Sequence, residues 1–399
     1  MMPGLRFSTF RLIIPALLVA SQVYFFVRVR RAILASNLSH RKKSSGVVIA
    51  GAAVGLLFVM NGYMFAGPFW LSAPLAARAV LCYLPAVWAF GSILSAFLLC
   101  VTQLAGGTGR LFHWLYHRLV RQKAAPPPVD TYRRRLVQAG IAGLATAPFI
   151  LSAYGAVYDG KTYNVREIAV PFGRTLRVVH VSDIHAGAFM TREEIRRYAD
   201  RVIRLQPDLF VLTGDFVSNS IRFLDGCLEE LSRVQARYGT FATLGNHENW
   251  FGRSKWLGPV FRKYGVKLLV NAHRIIQMEQ GPFAVAGIDD MRTGRPSLEA
   301  ALHGLDSLVP TLLLSHRPEI FPQAARYAIP LTLAGHWHGG QIRVSLAGAT
   351  ISPAHLMTPY PEGLYRNGAS RLYVTRGIGT TFTPIRLNCP GEITVINLT

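Results

Sequence analysis

The chain reads LRVVHVSDIH at residues 176–185, where a short β-rich run ends in two potential metal ligands, Asp183 and His185. A run of this length and composition predicts a strand, here over 176–181. The same order, a β-rich run followed by an acid, an amide or a histidine, recurs at four later places. This repetition indicates both the fold class and the position of a site.

From about Thr162 onward, β-rich runs alternate with amphipathic helical segments. Strands are predicted at 176–181, 208–212, 240–244, 267–270, 283–286, 311–314, 330–333, 371–375 and 393–398. Helices are predicted at 192–205, 221–235 and 259–264. Alternation first and strands last predicts an α/β fold in which mixed sheets form a layered sandwich.

Five of the predicted strands end in side chains that suit metal binding or acid–base chemistry. The motifs are Asp183-Ile184-His185, Gly214-Asp215, Gly245-Asn246-His247-Glu248, Ser315-His316 and Gly335-His336-Trp337-His338-Gly339-Gly340-Gln341. Since the carboxyl ends of strands line the ligand crevice of α/β sheets, we expect these motifs to meet there. Oxygen and imidazole ligands suit Mn, Fe or Zn better than Ca. So many ligands predict two ions, with a carboxylate between them.

Spacing within the motifs also favours convergence. Asp183 and His185 are two residues apart, as are His336 and His338. In an extended chain, residues two apart point to the same side. We therefore expect each pair to lie in extended backbone and to face one pocket.

In this order and spacing, the five blocks resemble the calcineurin-like metallophosphoesterase superfamily. The longer stretches Leu314-Ser315-His316-Arg317-Pro318, 335–341 and Arg376-Gly377-Ile378-Gly379 with Pro384-Ile385-Arg386 look like its membrane-anchored bacterial branch. The resemblance covers 174–398. It implies a four-layer α/β/β/α sandwich and a phosphoesterase that uses two divalent ions (Mn, Fe or Zn) and a metal-bridging hydroxide.

The resemblance also implies a role for each site residue. Asp183, His185 and His338 hold the first metal; Asn246, His316 and His336 hold the second; Asp215 bridges both; and His247 is a general acid. Glu248 stands where many members have Asp, a change that touches no expected ligand. Arg317 is open to two interpretations, a phosphate contact or a salt bridge elsewhere. Asp289-Asp290 is either a turn, which we favour, or a support for the ligands.

The first part of the chain has a different character. Half of the 399 residues are hydrophobic, and residues 1–157 carry 16 Lys/Arg but a single acid, Asp130. Four stretches are apolar enough to cross a bilayer, near 12–27, 46–65, 77–104 and 136–158. We therefore predict a transmembrane helical region at 1–157 and a metallophosphoesterase domain at 158–399.

Charge between the apolar stretches predicts their orientation. The loops at 28–45 and 105–135 hold 13 basic residues, against three on the other side. Because short basic loops stay in the cytoplasm, the chain is predicted to be a multi-pass protein of the inner membrane with its catalytic domain outside the cytoplasm. The fourth span follows Arg133-Arg134-Arg135, so it is either a plain span or an internal twin-arginine-like signal; both send the domain outward.

The same charge bears on partners and on competing functions. Most of the net charge of +22 flanks the membrane segments, where it has a topological reason, so nucleic acid is not an expected partner. The expected partners are the membrane and a phosphate-ester substrate, with lipid-linked esters among the candidates. Two alternatives stay open: a pyrophosphatase of a lipid-linked nucleotide sugar of the UDP-diacylglucosamine type, and a non-catalytic membrane sensor.

Overall fold

The computed structural model describes residues 4–66, 77, 79–120, 131–251, 254–346, 348–381 and 383–399. The chain forms two compact units, Met1–Tyr154 and Gly155–Thr399.

The first unit is helical. Its helices are α1 (Gly4–Ala35), α2 (His40–Ala66), a π-helix (Ala79–Tyr83), α3 (Leu84–Val120) and α4 (Thr131–Val157), whose last residues belong to the second unit. Three candidate membrane spans lie in the described residues, at His40–Gly62, Val80–Tyr116 and Thr131–Lys161. They correspond to the second, third and fourth predicted spans. The first predicted span, 12–27, falls within α1, is not among the three, and stays a prediction.

Buried polar contacts join α1 to α3. Gln22 Nε2 donates to Ser92 Oγ over 2.8 Å, and Trp88 Nε1 donates to Gln22 Oε1 over 2.7 Å. In an apolar medium, hydrogen bonds between helices and close packing at small residues hold helices together.

The second unit is built from fourteen strands and six further α-helices among its described residues. The strands are β1 (Tyr163–Val170), β2 (Leu176–Val181), β3 (Leu209–Thr213), β4 (Thr240–Thr243), β5 (Val266–Leu268), β6 (Ala272–Ile276), β7 (Phe283–Gly287), β8 (Thr311–Leu314), β9 (Leu331–Ala334), β10 (Val344–Leu346), β11 (Ala349–Ile351), β12 (Gly363–Asn367), β13 (Ser370–Val374) and β14 (Gly391–Leu398). The helices are α5 (Arg192–Arg204), α6 (Leu224–Leu231), α7 (Asn246–Trp250), α8 (Ser254–Lys263), α9 (Leu298–Leu302) and α10 (Phe321–Arg326).

Two six-stranded sheets form the centre of this unit. Their strand orders are β1-β14-β2-β3-β4-β5 and β12-β13-β9-β8-β7-β6. In the first sheet β14 is antiparallel to β2 and the neighbouring pairs are otherwise parallel; in the second, β12 and β6 run antiparallel to their neighbours. The mixed sheets of the sequence prediction are therefore confirmed.

Successive side chains along each central strand point alternately to two different cores, and this alternation produces the four layers. Leu209 and Val211 of β3 point into the core between the sheets, whereas Phe210 and Leu212 point to the core under the helices. The first sheet packs on α5, α6 and α8, and the second on α9 and α10. The α/β/β/α sandwich is the arrangement that strands apolar on both faces require.

Local differences from the predicted elements have physical reasons. The helix predicted at 221–235 ends at Leu231, because the following N–H groups of Arg233 and Val234 bond three residues back and tighten the chain into a turn. Strands β1, β6, β10, β11 and β12 were not predicted. They lie at sheet edges or in a separate hairpin, where apolar periodicity is weak.

Candidate metal centre

The predicted site residues come together at one edge of the sandwich. They follow the carboxyl ends of β2, β3 and β4 in the first sheet and of β8 and β9 in the second. Each motif directly follows its strand, so the two sheets deliver their side chains to the same edge.

Three of these side chains form a first group. The nitrogens His185 Nε2 and His338 Nε2 lie 3.1 Å apart, and His338 Nε2 is 3.3 Å from Asp183 Oδ1. All three residues are buried. The backbone N–H of His336 donates to both oxygens of the Asp183 carboxylate, which fixes its orientation.

A second group lies beside the first. His316 Nε2 is 3.1 Å from His336 Nδ1, 3.2 Å from Asn246 Oδ1 and 3.3 Å from Asp215 Oδ2. His316 Nδ1 lies 2.7 Å from the carbonyl of Thr213, and this places the proton on Nδ1 so that Nε2 offers a lone pair to the group.

Asp215 connects the two groups. Its Oδ2 lies 3.3 Å from His316 Nε2 in the second group and 3.6 Å from His185 Nε2 in the first. A single carboxylate oxygen therefore faces nitrogens from both groups.

The donor atoms fit divalent metal ions of the transition series. Metal–nitrogen bonds are about 2.0–2.1 Å long, so two of them meeting near a right angle separate their nitrogens by about 3 Å. The His185–His338 and His316–His336 nitrogen pairs are both at 3.1 Å. Imidazole and carboxylate together suit Mn, Fe or Zn.

Burial keeps several of these imidazoles neutral and therefore able to bind a cation. It lowers the pKa of His185 to about 3, with His247 adding to the effect. Burial likewise lowers the pKa values of His336 and His338 well below the usual value, with nearby cationic groups contributing. Burial also acts against a charged His316, but the charge and hydrogen bond of Asp215, together with the charges of Asp183 and Asp290, outweigh it and raise the pKa of His316 to about 10. A cation that binds His316 Nε2 would therefore displace a proton.

Backbone strain concentrates at the same residues. Asp183, His185, Asp215, His336 and His338 all have φ between 52° and 73°. Non-glycine residues enter this left-handed region at a cost of about 1–3 kcal/mol each, and they do so mostly at functional sites. The expectation of extended backbone at the pairs Asp183/His185 and His336/His338 is therefore wrong; left-handed backbone at these residues aims their side chains instead.

His247 lies beside the groups, with one nitrogen already engaged. Its Nδ1 contacts the carbonyl of Ser218, so Nδ1 carries the proton in the neutral ring, and Nε2 faces the site 3.9 Å from Asp215 Oδ2. The ring also packs on Trp250, with centroids 4.2 Å apart. This position lets Nε2 exchange a proton with a molecule bound at the site.

Glu248 touches no ligand side chain but holds the backbone of one. Its Oε2 accepts from the N–H groups of Asp215 (3.0 Å) and Gly245 (2.9 Å), and its Oε1 from those of Phe216 (2.8 Å) and Val217 (3.2 Å). Burial and the charge of Asp215 raise the pKa of Glu248 to about 7. The backbone N–H donors oppose this rise, because they stabilise the carboxylate form. Sequence reasoning missed this role; a glutamate three residues after the helix N-cap was the available signal.

Arg317 and Asp290 support the second group from behind. Arg317 Nε donates to Asp290 Oδ1 over 2.8 Å, Nη2 donates to Asn246 Oδ1 over 3.1 Å, and Nη1 contacts His336 Nε2. The salt-bridge interpretation of Arg317 is the one the geometry favours. Asp290 has both of the roles considered from the sequence. It supports the ligands through Arg317, and its Oδ2 accepts from the backbone N–H groups of Arg292 and Thr293 in a turn.

Comparison with known proteins agrees with this geometry. A family model described as Calcineurin-like phosphoesterase matches residues 176–340. Phosphodiesterase YaeI of Escherichia coli (strain K12) is 30% identical over 284 residues, which cover 67% of this chain and 98% of that protein. The chain belongs to the calcineurin-like metallophosphoesterase family. It is thus a hydrolase of phosphoric ester bonds.

Other metallophosphoesterases are similar at comparable levels. The uncharacterized metallophosphoesterase YkuE of Bacillus subtilis (strain 168) is 28% identical over 240 residues, covering 59% of this chain and 84% of that protein. A transmembrane protein with metallophosphoesterase domain from Danio rerio is 31% identical over 268 residues, covering 62% of this chain and 60% of that protein. Together with the three apolar helices, this similarity identifies a membrane-associated metallophosphoesterase.

Proposed function

We propose that this metallophosphoesterase hydrolyses phosphomonoesters or phosphodiesters at a centre for two divalent ions. The observation that carries the proposal is the position of Asp215 Oδ2, within 3.3–3.6 Å of histidine nitrogens from both groups. The ligand set is then Asp183, His185 and His338 for one ion, Asn246, His316 and His336 for the other, and Asp215 for both.

When bound, such ions neutralise phosphate oxygens and make a water molecule acidic enough to act as a nucleophile near neutral pH. The chain supplies positioning. Backbone hydrogen bonds hold Asp183, Asp215 and His316, so these side chains need little rearrangement when substrate arrives. His247 Nε2 faces the same space. In its imidazolium form, with the Nδ1 proton held by the Ser218 carbonyl, His247 would deliver the Nε2 proton to the leaving oxygen as a general acid.

Hydrolysis of bis-p-nitrophenyl phosphate by the full chain in detergent, with manganese added, tests this function. We expect turnover in the parent and its loss in His316→Ala, which removes a proposed ligand. His303→Ala is the matched control, since His303 is exposed and outside the site. Equal activity in both variants would remove the basis of the assignment.

We also propose that the enzyme lies in the inner membrane with its catalytic domain outside the cytoplasm. The distribution of basic residues supports this orientation. Alkaline phosphatase fused after Thr399 should be active, since it folds only outside the cytoplasm. An inactive fusion at normal expression would reverse the orientation and bring the cytoplasmic nucleotide-sugar substrate back into consideration.

A further inference from the structure

A short hairpin beside the metal centre exposes apolar side chains that no other described part of the unit covers. Among the described strands, β10 and β11 pair only with each other, outside both six-stranded sheets. Val344 and Ile351 are directly opposite partners, so they share one face, and they are 61% and 58% exposed. The turn that follows adds Leu356, which is 84% exposed, and Met357.

The composition of this segment is unusual for an exposed hairpin. Residues 344–357 contain no Lys, Arg, Asp or Glu. Exposed side chains in soluble proteins are mostly polar or charged, and contiguous exposed apolar patches are uncommon. An apolar face without these charges marks an interaction surface.

Backbone hydrogen bonds hold the hairpin next to the end of a candidate membrane span. The span Thr131–Lys161 leads into β1 after a single residue. At its end, the carbonyl of Gly155 accepts from the N–H of Arg386 over 3.1 Å. The next residue, Leu387, exchanges backbone hydrogen bonds with Gln341 and Arg343 at the base of the hairpin, both 2.9 Å long.

Neighbouring Cα atoms are about 3.8 Å apart, so the base of the hairpin lies close to the point where this span ends. The same segment reaches the metal centre, since Arg386 Nη2 is 3.4 Å from His338 Nδ1. The turn after β11 packs on the turn that carries His338, and a Cβ on Gly340 would overlap Ser352 Oγ. The end of the span, the hairpin and His338 are thus connected by direct contacts within the second unit.

We propose that the β10–β11 hairpin and the turn through Met357 dock on the lipid surface of the membrane that anchors the chain. A membrane span ends at the lipid interface, where apolar side chains gain by leaving water. The docked face holds the metal centre beside lipid headgroups, so the substrate is a phosphate ester presented from the lipid surface. This catalytic consequence rests on the proposed function, whereas the docking does not.

Spin labels on the full chain test the docking. The chain is placed in nanodiscs of phosphatidylethanolamine and phosphatidylglycerol, in a Cys100→Ser background because Cys100 is the exposed native cysteine. A nitroxide is attached through Leu356→Cys or, as matched control, Leu308→Cys. Leu308 is 86% exposed but precedes β8, at the opposite edge of the sheet from the metal centre.

We expect the label at 356 to be accessible to oxygen and shielded from a water-soluble nickel complex, with the reverse at 308. Free access of the nickel complex to the label at 356 would show that the hairpin is solvated. Shielding of that label from both reagents would show a protein contact, such as a second copy of the chain. Either result overturns the docking.

Rates of hydrolysis of two substrates distinguish a defect in docking from a defect in the chemical step. We expect Leu356→Asp to slow hydrolysis of the nanodisc phospholipids roughly tenfold or more while sparing bis-p-nitrophenyl phosphate; Leu308→Asp should spare both. An equal loss on the two substrates, or no loss on either, contradicts a role in lipid presentation. If the parent hydrolyses neither substrate, the proposed function fails, while the label measurement still decides the docking.

Discussion

Replacing Glu248 by Gln tests how the fold holds its central ligand. The carboxylate accepts four backbone N–H groups, two on each oxygen, and one of them belongs to Asp215. Gln keeps a single acceptor oxygen, and its NH2 group then faces two N–H donors. At about 1.5–3 kcal/mol for each hydrogen bond to a charged group, the loss of two amounts to about 3–6 kcal/mol.

Thermal unfolding of the full chain in detergent measures this cost. A loss of about 3 kcal/mol lowers the Tm of a domain of this size by about 6–12 °C. The manganese concentration that half-saturates the protein should also rise, by about 10–100-fold, because the Asp215 loop loses its support. Glu229→Gln is the control: its side chain is 52% exposed in a surface pair with Arg192, so we expect little change. A Glu248→Gln protein with the parent's Tm and metal affinity would refute the reasoning.

Three further substitutions test separate parts of the site. His247→Ala should retain metal but lose about 10²–10⁴-fold in turnover of esters with poor leaving groups, with a smaller loss on nitrophenyl esters; equal losses on both would contradict an acid role. Asp290→Asn leaves the buried Arg317 without its ionic partner and should cost about 3–5 kcal/mol of stability, measured by chemical unfolding; an unchanged midpoint would contradict this. Gly335→Ala places a Cβ against the Asp183 carboxylate and should reduce metal content, whereas Gly258→Ala, with no atom nearby, should not; equal metal content in the two would refute the packing argument.

Convergence of the site was predictable because sheet geometry is general. Asp183, Asp215 and His316 each follow a strand, and strands of one direction bring their carboxyl ends to one edge. The sequence marks both the strands and the polar residues after them. Roles within the site came from family resemblance and stay proposals, since the arrangement of atoms alone does not assign a bridging carboxylate or a general acid.

Other features depend on contacts between distant residues. The left-handed backbone at Asp183 and His185 is imposed by the surrounding packing. Asp and His enter this region more often than most residues, but that preference is too weak to predict it at a given position. Strand β1 joins the sheet by pairing with β14, more than 200 residues away, so its own periodicity carries little signal. Arg317 and Asp290 are 27 residues apart in sequence, and only the folded chain shows that they pair.

The number of ions held by the full chain tests the central claim most directly. Elemental analysis after manganese loading and removal of free metal should give two ions per chain, and Asp215→Ala should lose both, since that carboxylate faces both groups. A single ion in the parent, or two ions that survive in Asp215→Ala, would contradict a bridged two-metal centre.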